Sequence, residues 1–285
     1  MKIRPASRRQ QARAADPGRH YLRATLAWTL LLYAVLALAL AGWLAPVWLL
    51  PVVPLVYVRL ALALHELMHL RGAGRVPGFH QLAMIFDTPF GLGYREHRTI
   101  HLAHHRHGAS PDDPEWFQIA GSHAHALGQA LIVPERSAWR WIARHGLSRS
   151  LALQGGLRAL AFVAVAALNP PVFLTYWLVL RLAIGASGFI FHHLLHQRDG
   201  QHGTYALPAP RWLVAIGRRV FGHEPMQILL RHREHHLWPG LRVWELPELP
   251  PTYVLPTRAA PVRTEPPSSQ AAPTFGAVPR LEPHP

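Results

Sequence analysis

The chain is 285 residues long, half of them hydrophobic and 15% charged, with 29 Lys and Arg against 15 Asp and Glu, 21 His and no Cys. The lack of cysteine excludes disulfides, thiolate zinc sites and iron–sulfur ligation by the chain itself, so any electrons it uses come from another molecule. Apolar residues gathered in long blocks exclude an ordinary soluble domain. Beside such blocks a net charge of +14 suits anionic lipid headgroups better than nucleic acid, for which no motif stands out.

Residues 1–19 are basic and polar and are expected to be disordered. Residues 24–45 carry no charge, enough for a helix to cross a hydrocarbon core of about 30 Å. A signal peptide is the rival reading, with Ala37-Leu38-Ala39 resembling a cleavage site. Its apolar core, however, exceeds the roughly 7 to 15 residues of a signal sequence, and another span follows at once. That second span, 47–64, has Arg59 as its only charge; two more follow at 151–168, interrupted by Arg158, and 171–191, interrupted by Arg181. Asn169-Pro170-Pro171 is the turn between the last two.

Seven basic residues from Lys2 to Arg23 precede the first span, while the turns Gly42 to Pro46 and Asn169 to Pro171 are uncharged. By the positive-inside rule both termini lie in the cytoplasm, together with the polar segments 70–150 and 197–249. Residues 250–285 hold ten prolines and no apolar periodicity, and are expected to be disordered. The fold class expected is therefore an all-α integral membrane protein, in a bacterial inner membrane. It would comprise four transmembrane helices in two hairpins and a cytoplasmic histidine-rich helical cap, with residues 20–249 as the membrane domain.

Histidine falls in four tight clusters. They are His65-Glu66-Leu67-Met68-His69; His97, His101, His104, His105 and His107; His192-His193-Leu194-Leu195-His196; and His232-Arg233-Glu234-His235-His236. Spacings of three and four residues place two rings on one helix face, and neutral imidazole binds Fe, Zn, Cu or Ni. Packing alone gives no reason to set imidazoles side by side, where protonation would drive them apart. All four clusters fall on the cytoplasmic side of a topology derived without using histidine, which supports a shared polynuclear metal site. Isolated histidines (His20, His80, His123, His125, His145, His202, His223 and His284) are read as structural or surface residues. His65-Glu66-x-x-His69 also matches the zinc-metallopeptidase pattern, but such a site needs only one further ligand and leaves the other boxes unexplained.

The three boxes HELMH (65–69), HLAHH (101–105) and HREHH (232–236) resemble those of the membrane fatty-acid desaturase superfamily, which includes related hydroxylases and carotenoid ketolases. Tyr94-Arg95 before the second box, Asp112-Asp113-Pro114-Glu115 after it, and His236-Leu237-Trp238-Pro239 at the third resemble the family's flanks. The resemblance implies two irons, with His65, His69, His101, His104, His105, His232, His235 and His236 as ligands. It also implies one more histidine after the last span, for which His196 is the best match and His192 and His193 compete. His97, one turn before His101, is a candidate supporting residue. Asp113 is a candidate partner for a ligand imidazole, with a turn or helix cap as an equal alternative. One departure is Leu230-Arg231 before the third box, where the family often has asparagine or glutamine.

The activity implied is O₂-dependent desaturation of a fatty acyl chain that enters from the bilayer. A lipid or carotenoid hydroxylase or ketolase is the alternative within the family, and a membrane zinc protease or a non-catalytic metal transporter the alternatives outside it. No stretch remains for a fused electron-transfer domain, so a separate ferredoxin or cytochrome with its reductase is the expected donor.

Overall fold

The computed structural model describes residues 17–70, 90–247, 249 and 255–256. Most of residues 1–19 and 250–285, as well as His80 and His284, lie outside these.

Among the described residues, four helices are long and apolar enough to cross a membrane: Gly18–Leu40, Pro46–His69, Arg149–Leu168 and Pro170–Leu194. The first span is helix α1, Pro17–Leu40, and the second is a 3₁₀ turn at Pro46–Trp48 leading into α2, Leu49–His69. Helix α1 ends earlier than the uncharged run because Gly42 takes a left-handed φ of 76° and turns the chain. Helix α2 continues beyond the apolar run ending at Leu64 and carries His65 and His69 near its C-terminal end.

The polar segment after it folds into α3, Tyr94–His107; α4, Trp116–Ile119; α5, His123–Leu131; and α6, Val133–His145. Helices α7, Arg149–Leu168, and α8, Pro170–Gly188, follow. Ser148 caps α7 by accepting from the Leu151 N–H, and Asn169 caps α8 by accepting from Val172. Leu174, Leu178 and Leu182, four residues apart on α8, are exposed, as are Leu153, Leu157 and Leu160 on α7, giving outer faces suited to lipid. Inward, α1, α2 and α8 share a core that includes Leu36, Val53, Val56, Tyr176 and Leu180.

Helix α5 lies against α8 where glycines allow close approach; a Cβ on Gly185 would come within 2.5 Å of the Leu131 side chain. Beside this contact Arg181 donates to the Leu131 carbonyl at the end of α5 and, through both terminal nitrogens, to Glu135 on α6 at 2.7 and 2.5 Å. The Arg181 side chain is mostly buried, so an unmatched guanidinium there would be costly. Glu135→Ala is expected to lower the thermal midpoint in detergent by about 3 °C or more. The double variant Arg181→Met/Glu135→Ala should lose less than Glu135→Ala alone, and equal losses would show that the pair is not coupled.

After α8 the chain passes through one π turn, Phe189–Leu194, then strands β1, Gln197–Arg198, and β2, Gln201–Thr204. Asp199 and Gly200, both with positive φ, make the two-residue turn between these antiparallel strands, the geometry that Asp-Gly favours. Helices α9, Arg211–Val220; α10, His223–Leu230; and α11, His232–Leu237, complete the cap. Within the stretch read as a disordered tail, Leu255–Pro256 forms β3 and pairs with β2. The small sheet corrects a purely helical expectation, and it arises because the chain beyond α8 must reverse sharply.

Candidate metal centre

Three helix ends and the π turn bring nine imidazoles together. His65 and His69 come from the C-terminal end of α2, His101 and His105 from one face of α3, and His235 from α11. Their ligand atoms all lie within 4.8 Å of one another. His104, one residue before His105, is turned about 100° around α3 and joins His196, His232 and His236 in a second group of the same tightness. The groups adjoin, with the His105 and His236 rings stacked at 4.2 Å. The nine histidines of the sequence-based ligand set are the nine that fall into these groups.

The spacing fits metal coordination. His69 Nε2 lies 2.7 Å from His101 Nε2 and 3.0 Å from His235 Nε2. In the second group His236 Nε2 lies 3.2 Å from that of His196 and 3.1 Å from that of His232. A metal–nitrogen bond of about 2.1 Å sets ligand nitrogens at right angles about 3.0 Å apart. Protons cannot satisfy so many converging nitrogens, since a neutral ring carries only one N–H. Both ring nitrogens of His105 and the Nε2 of His65 are buried without a protein partner, an arrangement that is costly without a ligand. Burial, reinforced by the neighbouring imidazoles, holds His101, His105, His196, His232, His235 and His236 well below the ordinary imidazole range. They are therefore neutral at pH 7, the form that binds metal.

Ring orientation is set by the second nitrogen. His104 Nδ1 donates to Asp113 Oδ2 at 2.7 Å, and Asp113 also accepts from the N–H groups of Ala109 and Glu115. Burial opposes protonation of His104, but the Asp113 carboxylate and its hydrogen bond, with Glu115 behind them, outweigh it and raise the ring to about 9. His196 Nδ1 donates to the Phe191 carbonyl at 2.9 Å, which leaves Nε2 for the centre. That contact depends on the π turn, and the hairpin holds the following backbone through Gly203 N–H to His196 O and Tyr205 N–H to Leu195 O.

The other candidates point elsewhere. His192 Nε2 stands 3.2 Å from Glu115 Oε2. His193 Nδ1 donates to the Ile119 carbonyl, with its Nε2 2.7 Å from His123. His97 joins neither group but lines the adjoining cavity.

Glu115 is the residue that sequence reasoning passed over. Buried, it sits 3.9 Å from His104 as well as beside His192. Burial works against its ionisation, yet the charges of His192, His104 and His97 prevail and hold its carboxyl well below the usual range. Only its place in Asp112-Asp113-Pro114-Glu115 signalled it.

A cavity of about 240 Å³ opens from this centre. Leu32, Val58, Leu62, Leu180, Ile184 and Phe191 give it an apolar wall, and His65, His101, His104 and His232 border it as well. An apolar chain held there would bring a carbon close to both imidazole groups.

A search among curated proteins finds no match to the chain. The model of the fatty acid desaturase family matches residues 52–260, well over half of the chain and inclusive of all three histidine boxes. The chain is an integral membrane protein of the fatty acid desaturase family, the membrane desaturase and hydroxylase superfamily.

Proposed function

We propose that the protein is a membrane di-iron desaturase that introduces a double bond into a fatty acyl chain. The observation that carries this reading is the position of two adjoining imidazole groups beside an apolar cavity among the spans. One iron would be held by His65, His69, His101, His105 and His235, the other by His104, His196, His232 and His236. Iron so held, supplied with O₂ and electrons from a separate ferredoxin or cytochrome, provides an oxidant for unactivated C–H bonds.

The chain's own contribution is binding, orientation and dryness. Aliphatic cavity walls hold the substrate chain and exclude water, so the reacting carbon meets the centre without a competing solvent molecule. Asp113 and the Phe191 carbonyl fix the tautomers of His104 and His196. Glu115 and His192 border the same cavity, in contact with each other at 3.2 Å beside His104.

Lipid analysis of a host expressing the chain should reveal a new unsaturated acyl species that is absent when His105 is replaced by alanine. Purified active protein should contain two irons per chain. A single stoichiometric zinc in active enzyme would overturn the reading, whereas hydroxylated lipid without an alkene would keep the centre and move the outcome to hydroxylation.

The reading also places the cap in the cytoplasm, with the spans paired as two hairpins, on the support of the basic leader and uncharged turns. Reporter fusions after Gly108 and Gly240 should both report cytoplasm. A periplasmic signal from either would be incompatible with that orientation.

A further inference from the structure

Arg158 stands in the middle of α7, on the third span, and is 1% exposed. Its terminal nitrogens donate to the carbonyls of Gly91 and Leu92, the two residues just ahead of Gly93 and α3. A guanidinium has five N–H donors, so two carbonyl bonds leave three, and the buried Nε is without a partner. Among the described residues no carboxylate pairs with it. Arg181, on the neighbouring span, differs: it has Glu135 as a bidentate counter-charge.

Arginine at this depth is costly and is retained where it faces a polar group or a ligand. Two neutral carbonyls supply hydrogen bonds but no opposite charge. Arg158 lines the cavity that opens from the histidine centre, and Ser137 lies on its wall as well. The cavity follows one face of α3, past Tyr94, His97, His101 and His104. Tyr94 is about 10 Å along that helix from His101 and about 15 Å from His104. One end of the cavity is thus bounded by imidazoles, and Arg158 stands beside the start of α3.

We propose that Arg158 binds the carboxylate of a free long-chain fatty acid, whose chain runs along α3 to the histidine centre. The planar fork of arginine matches a carboxylate bidentately, and the substrate would bring the counter-charge that none of the described residues supplies. Esterified or carrier-linked acyl chains lack that charge. This inference rests on the acyl-chain reading of the site and narrows it to the unesterified acid. It also implies that the reacting carbon is counted from the carboxyl end, since the distance from Arg158 to the centre is fixed by α3.

Brominated long-chain fatty acid and its methyl ester, titrated against tryptophan fluorescence of the full-length protein in detergent, test the proposal. The unaltered protein should bind the acid at least about ten-fold more tightly than the ester. Arg158→Gln should abolish that preference while keeping ester binding, and Arg158→Lys, which retains charge without the fork, should keep part of it. Equal binding of acid and ester by the unaltered protein overturns the proposal without reference to any variant, as does a preserved preference in folded Arg158→Gln. Turnover separates this from the reaction itself. Esters desaturated as readily as acids would remove the role of Arg158 and leave the desaturase reading intact. Acid bound through Arg158 but never oxidised by iron-loaded protein supplied with O₂, a ferredoxin or cytochrome and its reductase would keep the site and remove that reading.

Discussion

His196→Ala is expected to abolish turnover as severely as His104→Ala, by at least about 100-fold, and to lower the iron content of the purified protein. The second imidazole group holds four histidines, all deeply buried, and the loss of one leaves three. No substitute is at hand, because His192 is engaged with Glu115 and His193 with Ile119 and His123. His192→Ala should be milder, with iron near the normal ratio and turnover reduced by about ten-fold, since it removes a partner of Glu115 and not a ring of either group. His202→Ala should leave both readings nearly unchanged. Full iron and normal product from His196→Ala would sink the assignment, and losses confined to His192→Ala would move the ligand there.

The distinction between these two residues was hidden from the sequence for a definite reason. At α-helical spacing His192 and His196 share a face, so either could reach the centre. The π turn over Phe189–Leu194 changes the angular step and sends His196 inward while His192 meets Glu115. No local residue pattern announces such a turn. The Asp199-Gly200 hairpin that follows is a different case, because that dipeptide is a strong turn signal and the reversal is legible in the sequence.

The four apolar spans were legible because burial in lipid demands long uncharged runs. Their ends were not. Helix α2 continues to His69, beyond where hydropathy stops, because backbone hydrogen bonding proceeds while the side chains change from lipid-facing to centre-facing. Shared faces within a box, such as His101 with His105, follow from spacing. Which boxes combine depends on how α3 and α11 cross, and adjacent His104 and His105 enter different groups for that reason. Arg158 and Arg181 read merely as interruptions of their spans; only tertiary contacts separate the paired one from the one that borders the cavity.

Asp113→Asn is expected to weaken iron retention by about 10- to 100-fold and to destabilise the cap at the same time. Turn-forming and ligand-orienting roles were alternatives on the sequence, and the contacts of Asp113 combine them. One oxygen accepts from His104 Nδ1 and Ala109 N, the other from Glu115 N. An amide retains one acceptor oxygen but presents N–H groups where donors already point, so at least one donor is left unsatisfied at about 1–3 kcal/mol. It also removes the charge that holds the His104 proton on Nδ1, which frees the ring to take the other tautomer and turn its lone pair away from the second group. Asp113→Ala should destabilise further, since the Ala109 and Glu115 N–H groups both lose their acceptor. Iron retention against a chelator and the thermal midpoint must be measured on the same preparations to separate the two roles. A lowered midpoint with unchanged iron retention in the folded fraction would reduce Asp113 to a turn residue, whereas faster iron loss at a temperature where the variant is fully folded would establish it as the group that orients His104.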